Sequence, residues 1–227
     1  LLVADHQSQA DTGVSIAREW IDVNDVNVVF SVNNSAVALA VSPVLAEAGV
    51  PMVHGASTSA LTNDQCEPLQ IQSLLDTYGL SRAITVPLVE AGDDQWFFIT
   101  VNYAFGQALQ GAGTAAIEAA GGSVVGNVKH SPDDIDFSAY LLEAQASGAT
   151  AIGLATFGSW QVAIAKQADE FGMNLPLVPY FLGITDVEAA GIENLQGIRG
   201  AIQFYWNENE ATRAFSARLA ERYGRPP

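Results

Sequence analysis

"VNVVFSVNNSAVALAVSPVLAEAG", residues 26–49, holds the decision about the fold. It opens on a run of valine and phenylalanine that suits a buried strand. It turns polar at Asn33, Asn34 and Ser35, and it resumes as an alanine-rich apolar helix that stops at Gly49. A strand feeding a helix through a few small hydrogen-bonding residues is half of a βαβ crossover, the unit of parallel sheets. Ser and Asn at that junction suit a helix N-cap, and glycine after the last turn suits a C-cap.

Working outward, the same alternation repeats. "LLVAD" at residues 1–5 reads as a strand, followed by the helix "DTGVSIAREWID". "VPMVH" leads into a loop rich in Ser and Thr, and the region around "DTYGLSRAITVPLVEAG" reads as a helix. "WFFITV", "SVVGNV", "AIGLAT" and "LPLVPYFLG" read as strands, with helices at "AFGQALQGAGTAAIEAAG", "FSAYLLEAQASG" and "QVAIAKQADEFG" between them. "IRGAIQFYW" reads as a last strand, ahead of the charged helix "NENEATRAFSARLAERYG". Helices end at Gly49, Gly92, Gly121, Gly148 and Gly172. The pattern predicts an α/β protein with parallel sheets covered on both faces. The acidic, glycine-containing stretch "EAGDDQ" marks a lobe boundary, giving a first lobe over 1–91, a second over 92–204, and a crossover with a return helix over 205–227.

Composition excludes several classes. With 227 residues, of which 49% are hydrophobic and 15% charged, the chain is neither a disordered tail nor a coiled coil. Its net charge of −16, with nine Lys and Arg, argues against nucleic acid and against an anionic membrane surface. No apolar run approaches the roughly 20 residues of a membrane span, so no direct membrane insertion is expected. Cys66, the one cysteine, sits between Asp64 and Glu67 and reads as a loop residue rather than a nucleophile.

Ligands of open parallel sheets sit beyond the carboxyl ends of the strands. Those ends deliver Asn33, Asn34 and Ser35, then His54 with "GAST", which supplies Ala56, Ser57 and Thr58. Small hydroxyls and amides at a helix N-terminus suit a carboxylate or another anion, because free N–H groups and the helix dipole both favour negative charge. Later strand ends deliver aromatic residues: Tyr103 and Phe105, Phe157 and Trp160, Tyr180 and Phe181, then Tyr205 and Trp206. Rings gathered at ligand-facing ends suit one wall of a pocket for a flat or apolar body.

Enzyme and cofactor signatures are weak. Gly111, Gly113 and Ala116 fit G-x-G-x-x-A but fall inside a helix, about ten residues past their strand, where no pyrophosphate could be cradled. His6, His54 and His130 lie apart, without metal-ligand spacing. Asp5 beside His6 reads as a cap or a solvated pair. Asp133, Asp134 and Asp136 lack EF-hand spacing and read as an acidic turn. No cofactor, metal or catalytic group is expected.

Three stretches carry a likeness to a known family. They are "ADHQSQADTGVSIAREWID", "LTNDQCEPLQIQSLLDTYGLSRA", and "WFFITVNYAFGQAL" with "DFSAYLLEAQASGATAIGLATFGSWQVAIAKQADEFG". The chain resembles the solute-binding proteins of ABC transporters related to the leucine/isoleucine/valine-binding protein, and looks closest to the branch for aromatic acids and small amides. The resemblance implies a type I periplasmic-binding fold: two Rossmann-like lobes that clamp a small-molecule solute between them. It further implies a membrane permease as partner and a periplasmic or membrane-tethered location. Asn34, Ser35, Ala56, Ser57 and Thr58 would hold the solute's carboxylate. Tyr103, Phe105, Phe157, Trp160 and Tyr180 or Phe181 would contact its body, and Tyr78 completes the set. Relatives that bind amino acids place an acidic residue opposite the ammonium, whereas the matching "VPYFLG" here has none. That favours an aromatic or branched apolar acid, or an amide. The resemblance also implies truncation at both ends. A receptor ectodomain or an amide-responsive regulator with the same fold, and an α/β enzyme, are the other readings the sequence allows.

Overall fold

A computed structural model describes residues 1–195, 198–202 and 204–225. Among the described residues seven strands form two parallel sheets. The first has the order β1 (Val29–Val32), β2 (Met52–His54), β3 (Gln70–Gln72). The second runs β5 (Ser123–His130), β4 (Gln95–Val101), β6 (Ala151–Ala155), β7 (Leu177–Pro179). Each apolar strand found its place by the burial it could tolerate. β4 carries "WFFITV" and is buried from Trp96 to Val101 because strands flank it on both sides. The edge strand β5 alternates exposed and half-buried residues, as one covered face requires.

Helices α1 (Ala10–Asp22) and α2 (Ser35–Glu47) pack on each other and on the first sheet, around Val29, Val37, Val41, Leu45 and Met52. In the second lobe α4 (Ala104–Ala119) covers one face of the sheet, while α5 (Ser138–Ala146) and α6 (Ser159–Glu170) cover the other. A short helix α7 (Ile184–Ala190) follows β7, and α8 (Glu210–Tyr223) follows later in the chain. The five glycines read as helix ends all have positive φ, between 61° and 107°.

Five expectations are corrected. Residues 1–5 form no strand, nor do the described residues of "IRGAIQFYW"; Gln203, within the latter, lies outside the described residues. Neither stretch pairs with a described strand. β1 is shorter than 26–31 suggests, and Phe30 is 63% exposed because β1 is an edge strand with β2 on one side only. The polar triplet "QIQ" is a strand the hydropathy pattern did not mark; Ser42 Oγ donates to Gln70, whose amide donates to the Leu61 carbonyl. Lastly, α3 (Thr77–Glu90) falls before the expected boundary at 91 yet packs on α4 in the second lobe's core, through Leu80, Leu88 and Val89. The chain therefore leaves the first lobe after β3, because the apolar face of α3 is complementary to Trp96, Leu109 and Ile117.

Candidate functional site

The second sheet's order places β4 between β5 and β6, so the chain goes out on one side of β4 and returns on the other. This is a topological switch point, and the crevice opens beyond the carboxyl ends of β4 and β6. There the turns into α4 and α6 present Tyr103, Phe105 and Phe157. From the first sheet, the ends of β1, β2 and β3 present Asn33, Asn34 and Ser35, then Gly55 and Ser57, then Leu74. Phe181 arrives from the end of β7. Together these residues line one cavity of about 210 Å³, with small polar groups from one lobe and rings chiefly from the other. A cavity of roughly 150 Å³ is enough for a benzene ring, so one ring with a carboxyl group is the right scale.

The polar wall is built on the start of α2. Asn34 is the N-cap, and its Oδ1 accepts from the Val37 N–H at 3.1 Å. Capping therefore fixes which way the amide faces: with oxygen turned to the helix, the NH₂ is left to donate. Ser35 is buried at the first helical position, where free N–H groups and the dipole add positive potential without a charged side chain. Ser57 is buried, and its carbonyl accepts from Thr77 N–H at 2.7 Å, which pins the loop at the cavity. Gly55 is required by close approach: a Cβ there would lie 2.5 Å from Asn33 Oδ1 and 3.2 Å from Leu74 Cδ1. Behind this loop His54 is buried, and desolvation pushes its pKa below the usual histidine value, so it stays neutral.

The opposite wall is a set of interlocking rings. Phe105 meets Phe157 edge-on at 5.5 Å, and Tyr103 lies 6.3 Å from Phe105. Burial pushes the Tyr103 phenol up to about 12, so it remains an O–H donor at any physiological pH. Among the described residues no Asp, Glu, Lys or Arg lines the cavity. Asp186, the carboxylate nearest in sequence to the β7 turn, is committed to the Gly183 N–H and the Gln161 amide, each at 2.9 Å.

The remaining predicted residues lie elsewhere. Tyr180 is fully buried in the second lobe, stacked on Phe98 with its hydroxyl 2.8 Å from Thr85. Side chains alternate along an extended chain, so Tyr180 shares the inward face of Val178 and Phe181 takes the cavity. Ala56 is sealed in the first lobe's core. Thr58 is buried and caps the 3₁₀ turn Ser59–Thr62. Tyr78 is exposed on α3 beneath the guanidinium of Arg82. Trp160 stands behind Phe157, edge-on at 5.3 Å, and does not line the cavity. Asn33, Gly55 and Leu74 join the site; Asn33 and Gly55 stood at predicted strand ends, while Leu74 follows a strand whose polar sequence hid it.

Among the described residues no group of His, Cys, Asp and Glu could hold a metal, and no helix is long and apolar enough to cross a membrane. Two parallel α/β lobes with an uncharged cleft between their strand ends define the architecture of a type I solute-binding protein. A family model described as "Periplasmic binding protein" matches residues 1–227, and the chain belongs to that family. Among solved structures, a periplasmic binding protein from Burkholderia mallei is 37% identical over 99% of this chain, with a TM-score of 0.91. A branched-chain amino acid ABC transporter periplasmic ligand-binding protein from Burkholderia xenovorans LB400 is 32% identical over 99% of the chain, with a TM-score of 0.84. An ABC transporter solute-binding protein from R. palustris, solved in complex with benzoate, shares the fold at 20% identity over 99% of the chain, with a TM-score of 0.88. The chain spans 60%, 61% and 63% of the length of these three proteins. Comparison with curated proteins gives no match.

Proposed function

We propose that the protein is the solute-binding component of an ABC importer, acting outside the cytoplasmic membrane, and that it captures a small apolar carboxylate between its lobes. The observation that carries this reading is the asymmetry of the cleft: neutral donors at Asn34, Ser35 and Ser57 face the rings of Tyr103, Phe105, Phe157 and Phe181. Donors at a helix N-terminus suit a negative head without needing a cation. An α-amino acid would bring an ammonium into a lining that has no carboxylate among the described residues, and an unpaired buried charge costs several kcal/mol. Aromatic and branched apolar acids avoid that cost, and aromatic amides follow next. The benzoate complex of the R. palustris relative agrees with a ligand of this size, whereas the B. xenovorans relative is named for branched-chain amino acids, which carry the ammonium that this lining leaves unpaired. Closure of the lobes on the solute is the signal a membrane permease would read, since a ligand touching both lobes favours the closed state.

Calorimetry with benzoate, isovalerate, benzamide and leucine tests this. Benzoate or isovalerate binding more tightly than leucine is expected. Tight leucine binding with no heat from either acid would overturn the assignment.

A further inference from the structure

One cluster lies behind the aromatic wall and is not used by the cleft itself. His130, at the end of β5, is fully buried. Its Nδ1 lies 2.9 Å from the Ser131 carbonyl, which can only accept, so Nδ1 carries the proton. In the neutral ring Nε2 is then a lone pair, and the Thr156 hydroxyl, 3.1 Å away and also fully buried, must donate to it. Burial lowers the His130 pKa and keeps the ring in that form. The His130 ring meets Phe137 edge-on at 5.2 Å and Trp160 at 5.4 Å. Trp160 in turn donates Nε1–H to the Pro132 carbonyl at 3.2 Å and stands edge-on to Phe157.

Thr156 opens the turn that carries Phe157, and that turn closes at Gly158, whose φ of 60° and ψ of −136° only glycine adopts readily. One end of the turn is thus fixed by backbone conformation. The other is tied to His130 by a bond with a single possible direction. We infer that His130 and Thr156 are positioning residues for the cleft: their hydrogen bond sets the turn over 156–158 and the stance of Trp160, and thereby where the Phe157 ring stands against the solute. This rests on the proposed role of the cleft as a site for ring-bearing or branched acids.

The test compares Thr156→Val, which keeps the shape and removes the donor, with Thr156→Ser, which keeps the donor. In the full chain labelled with 5-fluorotryptophan, the Trp160 resonance, assigned through Trp160→Phe, should move in Thr156→Val without any ligand and hold its place in Thr156→Ser. Benzoate affinity should fall about tenfold in Thr156→Val, because the Phe157 ring leaves its stance against the solute, and stay within about twofold in Thr156→Ser. An unmoved Trp160 resonance in Thr156→Val, or equal losses in both variants, would overturn the inference. Imidazole ¹⁵N spectra of the unmodified protein give a reading that needs no variant to fold: a proton on Nδ1 supports the arrangement, and a proton on Nε2 overturns it. Failure of the unmodified protein to bind benzoate would count against the proposed function, while both spectra would still decide this point.

Discussion

Replacing Asn34 with aspartate should separate the two tasks of that residue by moving them in opposite directions. The side-chain oxygen that accepts from Val37 N–H is retained, so the helix cap survives. A negative charge at the helix N-terminus is favourable, by about 0.3–1 kcal/mol, so thermal stability should hold or rise slightly. In the cleft the same change removes the NH₂ donor and sets a carboxylate against the solute's own. Two like charges about 4 Å apart repel by about 4 kcal/mol at an effective dielectric of about 20. Even with screening at this half-buried position, benzoate affinity should fall on the order of 100-fold or more. Benzamide, which carries no charge, should lose only about tenfold, the cost of one donor. Calorimetry and a melting curve on one preparation give both readings. Unaltered benzoate affinity in Asn34→Asp would mean that the carboxylate does not sit at the start of α2.

Other substitutions and conditions probe the rest. Gly55→Ala should weaken benzoate binding while leaving the fold intact, because its Cβ must displace Asn33 and Leu74 at the cavity; unchanged calorimetry would show that both side chains yield freely. Phe105→Ala should lower stability by about 3–5 kcal/mol in denaturant titration as well as abolish tight binding, since only 9% of the ring residue is exposed. Loss of binding alone would mean that the ring faces the cleft without supporting the core. Burial depresses the pKa of His54 and His130, so the folded state resists protons that the unfolded chain takes up. Their contribution to stability is full above the unfolded histidine value of about 6.5 and declines as pH falls through it. His130→Gln should flatten the fall in melting temperature below about pH 6.5, and an unchanged slope would contradict the assignment.

Much of the architecture was legible because hydropathy and capping agree over long stretches. "WFFITV" can hardly be anything but a central strand, and the glycine after each of five helices supplies the positive φ its end requires. Asn34, Ser35 and Ser57 were legible for the same reason: small polar groups at strand ends have few core uses. The aromatic residues were harder, because a ring satisfies a core as well as a cleft. Tyr180 and Phe181 are adjacent, and only the parity of the extended chain after β7 sends one to Thr85 and the other to the cavity. β3 was hidden because Gln70 finds partners in Ser42 and Leu61, and Gln72 in the Leu74 carbonyl, rather than in an apolar layer. The lobe to which α3 belongs depends on Trp96, Leu109 and Ile117 (later in the chain), so no local pattern could assign it.

A crystal structure of the protein soaked or grown with benzoate shows which wall of the cleft meets the carboxylate. The carboxylate is expected within hydrogen-bonding reach of Asn34, Ser35 and Ser57, with the ring held among Tyr103, Phe105, Phe157 and Phe181. Benzoate in the reverse orientation, with its carboxylate against the rings, or density for a ligand ammonium paired with an acidic side chain in this cleft, would contradict it.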